Sequence, residues 1–146
     1  MRSVEMEKGR VFVLRLETGE VLHEAVENFS REKGIRNATV TAVGGIGAGS
    51  RITVGPELPC DKKIIPIIVT LDAPHELTAA GTIFPDEDGN PMIHMHGSAG
   101  REGRSVTGCL RTGVIAWLVL EVVITEMIGE GAVRKNNNMG YKVLEV

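Results

Sequence analysis

Met92-Ile93-His94-Met95-His96-Gly97-Ser98-Ala99-Gly100-Arg101-Glu102-Gly103-Arg104-Ser105-Val106-Thr107-Gly108-Cys109-Leu110 is the stretch on which the fold turns. Apolar and polar residues alternate at its two ends with the period of two that a half-buried strand shows. The pattern predicts antiparallel strands over 92–96 and 106–110, with a turn centred between Arg101 and Glu102 that sets His94 directly across from Cys109. Ile93, Met95, Val106 and Leu110 then form a core face, and His94, His96, Thr107 and Cys109 share the other. Opposed Cβ atoms lie about 4.5–5.5 Å apart and same-face neighbours along a strand about 7 Å apart, so three ligand atoms can reach one ion.

Outward from this hairpin, most of the chain reads as strand: 10–16, 39–43, 51–54, 64–71, 77–84 and 114–127, the last rich in Val and Ile and bounded by Gly113 and Gly129. Val21, Leu22, Ala25, Val26 and Phe29 instead recur at helical spacing. Thr18 is the expected N-cap of that helix and Gly34 its C-terminal stop. One main amphipathic helix against many sequential strands predicts an α+β fold with a mixed, largely antiparallel sheet. The expectation is a single domain over 1–146, with its core at about 10–127 and a short final strand from Tyr141 behind an exposed Asn136-Asn137-Asn138 loop.

The bulk numbers narrow the function classes. A chain of 146 residues can bury a core without disulfide or metal staples. Its net charge of −3 gives no basic excess for phosphate binding, and 3% aromatic content does not suit a base-stacking platform. Arg101, Arg104 and Arg111 form at most a local basic patch around the hairpin. Two cysteines, Cys60 and Cys109, suit a reduced, cytoplasmic protein better than a disulfide scaffold. The N-terminal stretch is charged and lacks a signal-peptide core, and no apolar run approaches the ~18 residues of a membrane span.

Several motifs invite chemistry. Gly44-Gly45-Ile46-Gly47-Ala48-Gly49-Ser50 has the glycine density of a phosphate loop, but a strand-like segment follows it where a helix is needed, so a turn or bulge is expected. Asp86-Glu87-Asp88-Gly89-Asn90 lacks the ligand spacing and closing Glu of an EF-hand and reads as a turn. His23 reads as a surface residue of the helix, and Trp117 as core or interface. No Gly-x-Ser-x-Gly elbow exists. Neutral imidazole and thiolate together suit zinc, and three protein ligands leave a fourth position open. Cys109 as a histidine-activated nucleophile is the lesser reading. His75 and Glu76 are candidates for a further ligand or a general base.

The segments Thr39 to Ser50, Glu76-Leu77-Thr78-Ala79-Ala80-Gly81-Thr82-Ile83, and Ile93-His94-Met95-His96 through Gly108-Cys109-Leu110 resemble, in that order, the PPC domain of plants and prokaryotes. In plants that domain is fused to AT-hook DNA-binding motifs. The resemblance runs from about Arg10 to about Met127 and implies an α+β fold, a homotrimer and, in some prokaryotic relatives, a metal at the matching histidines. His94 and His96 take the places of the family's paired histidines. Cys109 stands where the family usually has the histidine of Gly-Gly-His-Leu, and Thr107-Gly108 replaces the glycine pair.

The family's DNA label belongs in plants to the AT-hook, whose Arg-Gly-Arg-Pro core enters the minor groove, and this chain has no such core. The expected function is therefore a cytoplasmic homotrimer holding a divalent metal, zinc, at His94, His96 and Cys109, with a regulatory role that involves DNA or other proteins and no membrane. The alternative is a metal-dependent hydrolase or lyase acting on a small molecule, with His75, Glu76 or Glu102 as base.

Overall fold

The computed structural model describes residues 1–57, 64–111, 113–137 and 140–146. Cys60 and Asn138 lie outside the described residues. The elements in chain order are β1 (Glu7–Glu17), α1 (Leu22–Lys33), β2 (Asn37–Ile46), β3 (Arg51–Pro56), β4 (Pro66–Thr70), β5 (His75–Pro85), β6 (Pro91–Arg101), β7 (Arg104–Cys109), β8 (Ala116–Ile128), β9 (Val133–Asn136) and β10 (Lys142–Glu145). The first eight strands form one sheet in the order β1-β8-β2-β5-β6-β7-β3-β4, and β9 and β10 pair separately.

Every neighbouring pair in the large sheet is antiparallel, so the expected mixture of strand directions is corrected. The chain holds one helix among the described residues and no crossover unit of the kind that parallel strands require. No helix among these residues is long and apolar enough to cross a membrane.

Alternation divides the sheet into two faces. Phe12, Leu14 and Leu16 of β1, Val122 and Ile124 of β8, Ala38, Val40 and Ala42 of β2, Leu77, Ala79 and Ile83 of β5, and Ile93 and Met95 of β6 belong to one continuous core. Leu22 and Val26 of α1 close over that core, with Ala25 and Phe29 packed at its margin. The helix also satisfies the sheet's backbone. β7 reaches along β6 only as far as His96, and the Glu27 carboxylate accepts the Ile93 N–H beyond it at 3.0 Å.

Gly34 ends α1 in the left-handed region at φ 66°, as expected, but Thr18 is not its cap. Val21 holds that position, and Thr18 Oγ1 instead accepts the N–H of Leu118 at 2.8 Å. The glycine-rich segment is a strand end followed by a turn. A Cβ at Gly44 or Gly45 would meet the backbone of Val119 or Trp117, and the β2–β8 register slips between Gly44 and Ile46. β3 follows directly, with no helix to hold a phosphate.

The opposite face is more open. In register, Val13, Val123, Thr41, Ala80, His96, Cys109, Thr53 and Ile68 make one row across all eight strands. Val13 is 76% exposed and Val123 36%, so the β1–β8 end of that row is apolar and uncovered. The C-terminal segment, expected as one strand, is a hairpin of β9 and β10 tied to this face at Phe84 and Thr82.

Candidate metal centre

The β6–β7 turn lies one residue later than expected, which shifts the cross-strand pairing by two. Arg101 pairs with Arg104, and Glu102 and Gly103 make a two-residue loop with φ 52° and 74°. Positive φ at both central positions is what a type I′ hairpin turn requires, and glycine at the second meets that need. Cys109 therefore faces His96 rather than His94. An even shift leaves every side chain on its original face, so the convergence survives the correction.

The ligand atoms of His94, His96 and Cys109 lie within 4.8 Å of one another. The two Nε2 atoms are 3.1 Å apart, with the rings edge to face at 83°. Zn–N bonds of about 2.0–2.1 Å at tetrahedral angles need a separation of about 3.3 Å. A Zn–S bond of about 2.3 Å places sulfur about 3.5 Å from each nitrogen, within the 4.8 Å that bounds the separations here. Cys109 is buried, His94 half-buried and His96 exposed, so the three donors run from the interior to the surface. Beside His96 the face dips into a cleft of about 470 Å³ lined by Thr41, Val43, Thr78, Ala80 and Glu121.

Two arginines attend the donors. Arg111 Nε donates to Cys109 Sγ at 3.3 Å. Arg134 is 3% exposed and reaches the site from β9, where Nη2 donates to Thr82 Oγ1 at 2.8 Å and Nε to the Met92 carbonyl at 3.4 Å. Its guanidinium lies over the Phe84 ring, 5.6 Å from the centroid. Thr82 is the residue directly opposite His94. Burial first, and then the charges of Arg111 and Arg134, hold His94 below the ordinary imidazole value, which favours the neutral, metal-ligating form.

Arg111 was legible as part of a basic patch, but that patch divides, since Arg101 pairs with Glu102 at 3.0 Å and Arg104 is exposed. Arg134 was not anticipated as a site residue. Its only sequence signal is the alternation of Ala132-Val133-Arg134-Lys135, which does not reveal what the segment packs against.

The candidate bases fall elsewhere. His75 and Glu76 begin β5, four to seven residues from Ala80 and Thr82, or about 13–23 Å along a strand. His75 Nδ1 is engaged with the Ala73 carbonyl at 2.9 Å, and Glu102 sits at the hairpin tip. Together with Trp117 these three line a separate cavity of about 430 Å³. The Asp86 carboxylate, in the acidic 86–90 turn, is taken up by the N–H groups of Asp88 and Asn90 and by Lys142.

Comparisons with known proteins agree with this architecture. The profile of the Plants and Prokaryotes Conserved (PCC) domain matches residues 3–128. A plant- and prokaryote-conserved (PPC) protein from Pyrococcus horikoshii superposes with a TM-score of 0.85 at 28% identity, covering 100% of this chain and 98% of its own. A metal-containing protein from Archaeoglobus fulgidus gives 0.83 at 26% identity, covering 100% and 99%. A candidate DNA-binding protein from Bacteroides thetaiotaomicron shares the fold at 0.76 and 19% identity, covering 96% of each chain. The comparison with curated proteins returns no match.

Proposed function

The chain belongs to the Plants and Prokaryotes Conserved domain family, and from that premise we propose that it is a homotrimeric metal-binding module whose zinc is held by His94, His96 and Cys109. The observation that carries this reading is the meeting of two imidazole nitrogens and one sulfur within 4.8 Å on a single face. The metal-containing relative from A. fulgidus supports it. The trimer rests on the apolar row that ends in exposed Val13 and Val123, a face suited to burial against further copies. A role alongside DNA, in the cytoplasm, is exercised through protein contacts, because a chain with net charge −3 is a poor direct ligand for phosphates.

Metal analysis of untagged protein tests the centre. About one zinc per chain is expected, and the His94→Ala/His96→Ala double variant should lose it; equal metal in both removes the site. Sedimentation equilibrium tests the assembly, and a monomer mass at micromolar concentration removes the trimer.

A metal-dependent hydrolase or lyase is the second reading. It is favoured by the donor count, since three ligands leave a coordination position for water or substrate beside the 470 Å³ cleft.

A further inference from the structure

We propose that the centre takes a small oxyanion, a carboxylate or inorganic phosphate, bound at the metal's fourth position and clamped by Arg134 and Arg111. This rests on the metal reading above and extends it to the class of ligand.

Charge balance is the first ground. A divalent ion brings two positive charges, the Cys109 thiolate one negative, and Arg111 and Arg134 one positive each, with both histidines neutral as ligands. Three positive charges are then unbalanced, and the one on Arg134 is only 3% exposed, whereas Arg111 lies at the surface. Unpaired charge at such depth is costly, and an anion from solution relieves it.

The second ground is that the acids around Arg134, on the C-terminal hairpin and in the Asp86 turn, are already engaged. Asp86 Oδ2 lies 2.9 Å from Lys142 Nζ, Glu145 is 2.9 Å from Lys135, and Glu87 accepts from Asn136. Among the described residues, neither Arg134 nor Arg111 has an ion-pair partner.

The third is the state of the Arg134 guanidinium itself. Thr82 and Met92 use Nη2 and Nε, and Nη1 has no hydrogen-bond partner among the described residues. A planar guanidinium with free donors matches carboxylate and phosphate oxygens, whereas a spherical ion such as chloride gains less from the fork. β9, which supplies Arg134, lies beyond the residues 3–128 that the family profile matches. The Arg134 arm of the clamp thus comes from the C-terminal hairpin, outside the residues that the profile matches, and the Arg111 arm from within them.

The test is cobalt(II)-loaded, untagged protein titrated with sodium acetate and, separately, with inorganic phosphate, against sodium chloride at equal ionic strength. The thiolate-to-cobalt charge-transfer band reports the centre, and the visible d–d bands report an added oxygen ligand. Saturable change in the d–d bands with acetate or phosphate, and not with chloride, is expected. The anion that saturates at lower concentration identifies the ligand as carboxylate or phosphate. Arg111→Ala, and Arg134→Lys, which keeps the buried charge but loses the fork, should each weaken that affinity at least about tenfold at full cobalt loading. A missing charge-transfer band removes the metal centre and this ligand with it. An intact band with d–d bands that neither anion moves, or equal affinities in wild type and both variants, overturns the oxyanion alone.

Discussion

His96 stands directly across from Cys109 in the β6–β7 ladder, while His94, two residues further along β6, faces Thr82 on its other side and has no opposite residue on β7. The site is thus assembled on one hairpin whose turn sets the register; of its two arginines, Arg111 follows Cys109 by two positions and Arg134 arrives from a hairpin more than twenty positions downstream.

On the proposed zinc reading, Cys109 sets the metal chemistry of the site. Cys109→Ala should weaken zinc binding more than about 100-fold, beyond what loss of a residue behind a ligand produces. Cys109→His should retain zinc while abolishing the thiolate-to-cobalt band. Competition with a chromophoric chelator checks both, and unchanged affinity in the alanine variant would exclude the sulfur as a ligand.

Gly108 carries no side chain because β3 crosses there too closely. A Cβ at that position would meet the Thr53 carbonyl oxygen and the Ile52 side chain. Gly108→Ala should cost about 1–3 kcal/mol by overpacking, or several degrees of melting temperature in a chain of this size. A thermal melt matching wild type would show that the strands separate freely.

Glu102 holds a left-handed conformation at φ 52° without glycine's freedom. Glu102→Asn places a residue that tolerates this region ahead of Gly103 and should add about 0.5–1 kcal/mol, the lost Arg101 pair being exposed and worth little. Urea unfolding should show a higher midpoint at constant m-value.

Acid stability has a defined direction. Hydrogen bonds from Arg10 hold Glu126 below its ordinary 4.5, and Lys142, followed by the Asn90 and Asp88 amides, holds Asp86 below its ordinary 3.8. A carboxylate depressed by folding contributes stability that is complete above its unfolded value and is lost as pH falls through the folded one. Melting temperature should therefore decline below about pH 4.5 on account of these two groups. Glu126→Gln should be less stable than wild type at pH 7, and the gap should narrow toward pH 3; a gap independent of pH would refute the linkage.

Much of the fold was legible because alternation is a local signal: the strands from Val11 to Met127 show it, and so does the Leu22-Val26 stripe of α1. The face shared by His94, His96 and Cys109 followed from parity alone, which an even shift of the pairing leaves intact. The rung itself was misplaced, because Glu102-Gly103 resembles the preferred Asn-Gly turn only in its second residue. Arg134 stayed hidden for a different reason. Its burial depends on Thr82, Met92 and Phe84, some 42 to 52 positions away, and no short-range pattern encodes that docking.

β3 is joined to β7 by one ladder pair, Thr53 with Cys109, whereas β5 and β6 share ten. That ladder is the thinnest in the sheet, and the β3–β4 ribbon is held besides by Ile52 in the core and by the Arg51 N–H, which donates to the Gly113 carbonyl at 2.9 Å. Amide hydrogen exchange should be quicker in that ribbon than in β5, and a cation gripping Cys109 should slow it, fastening the flap like a clasp.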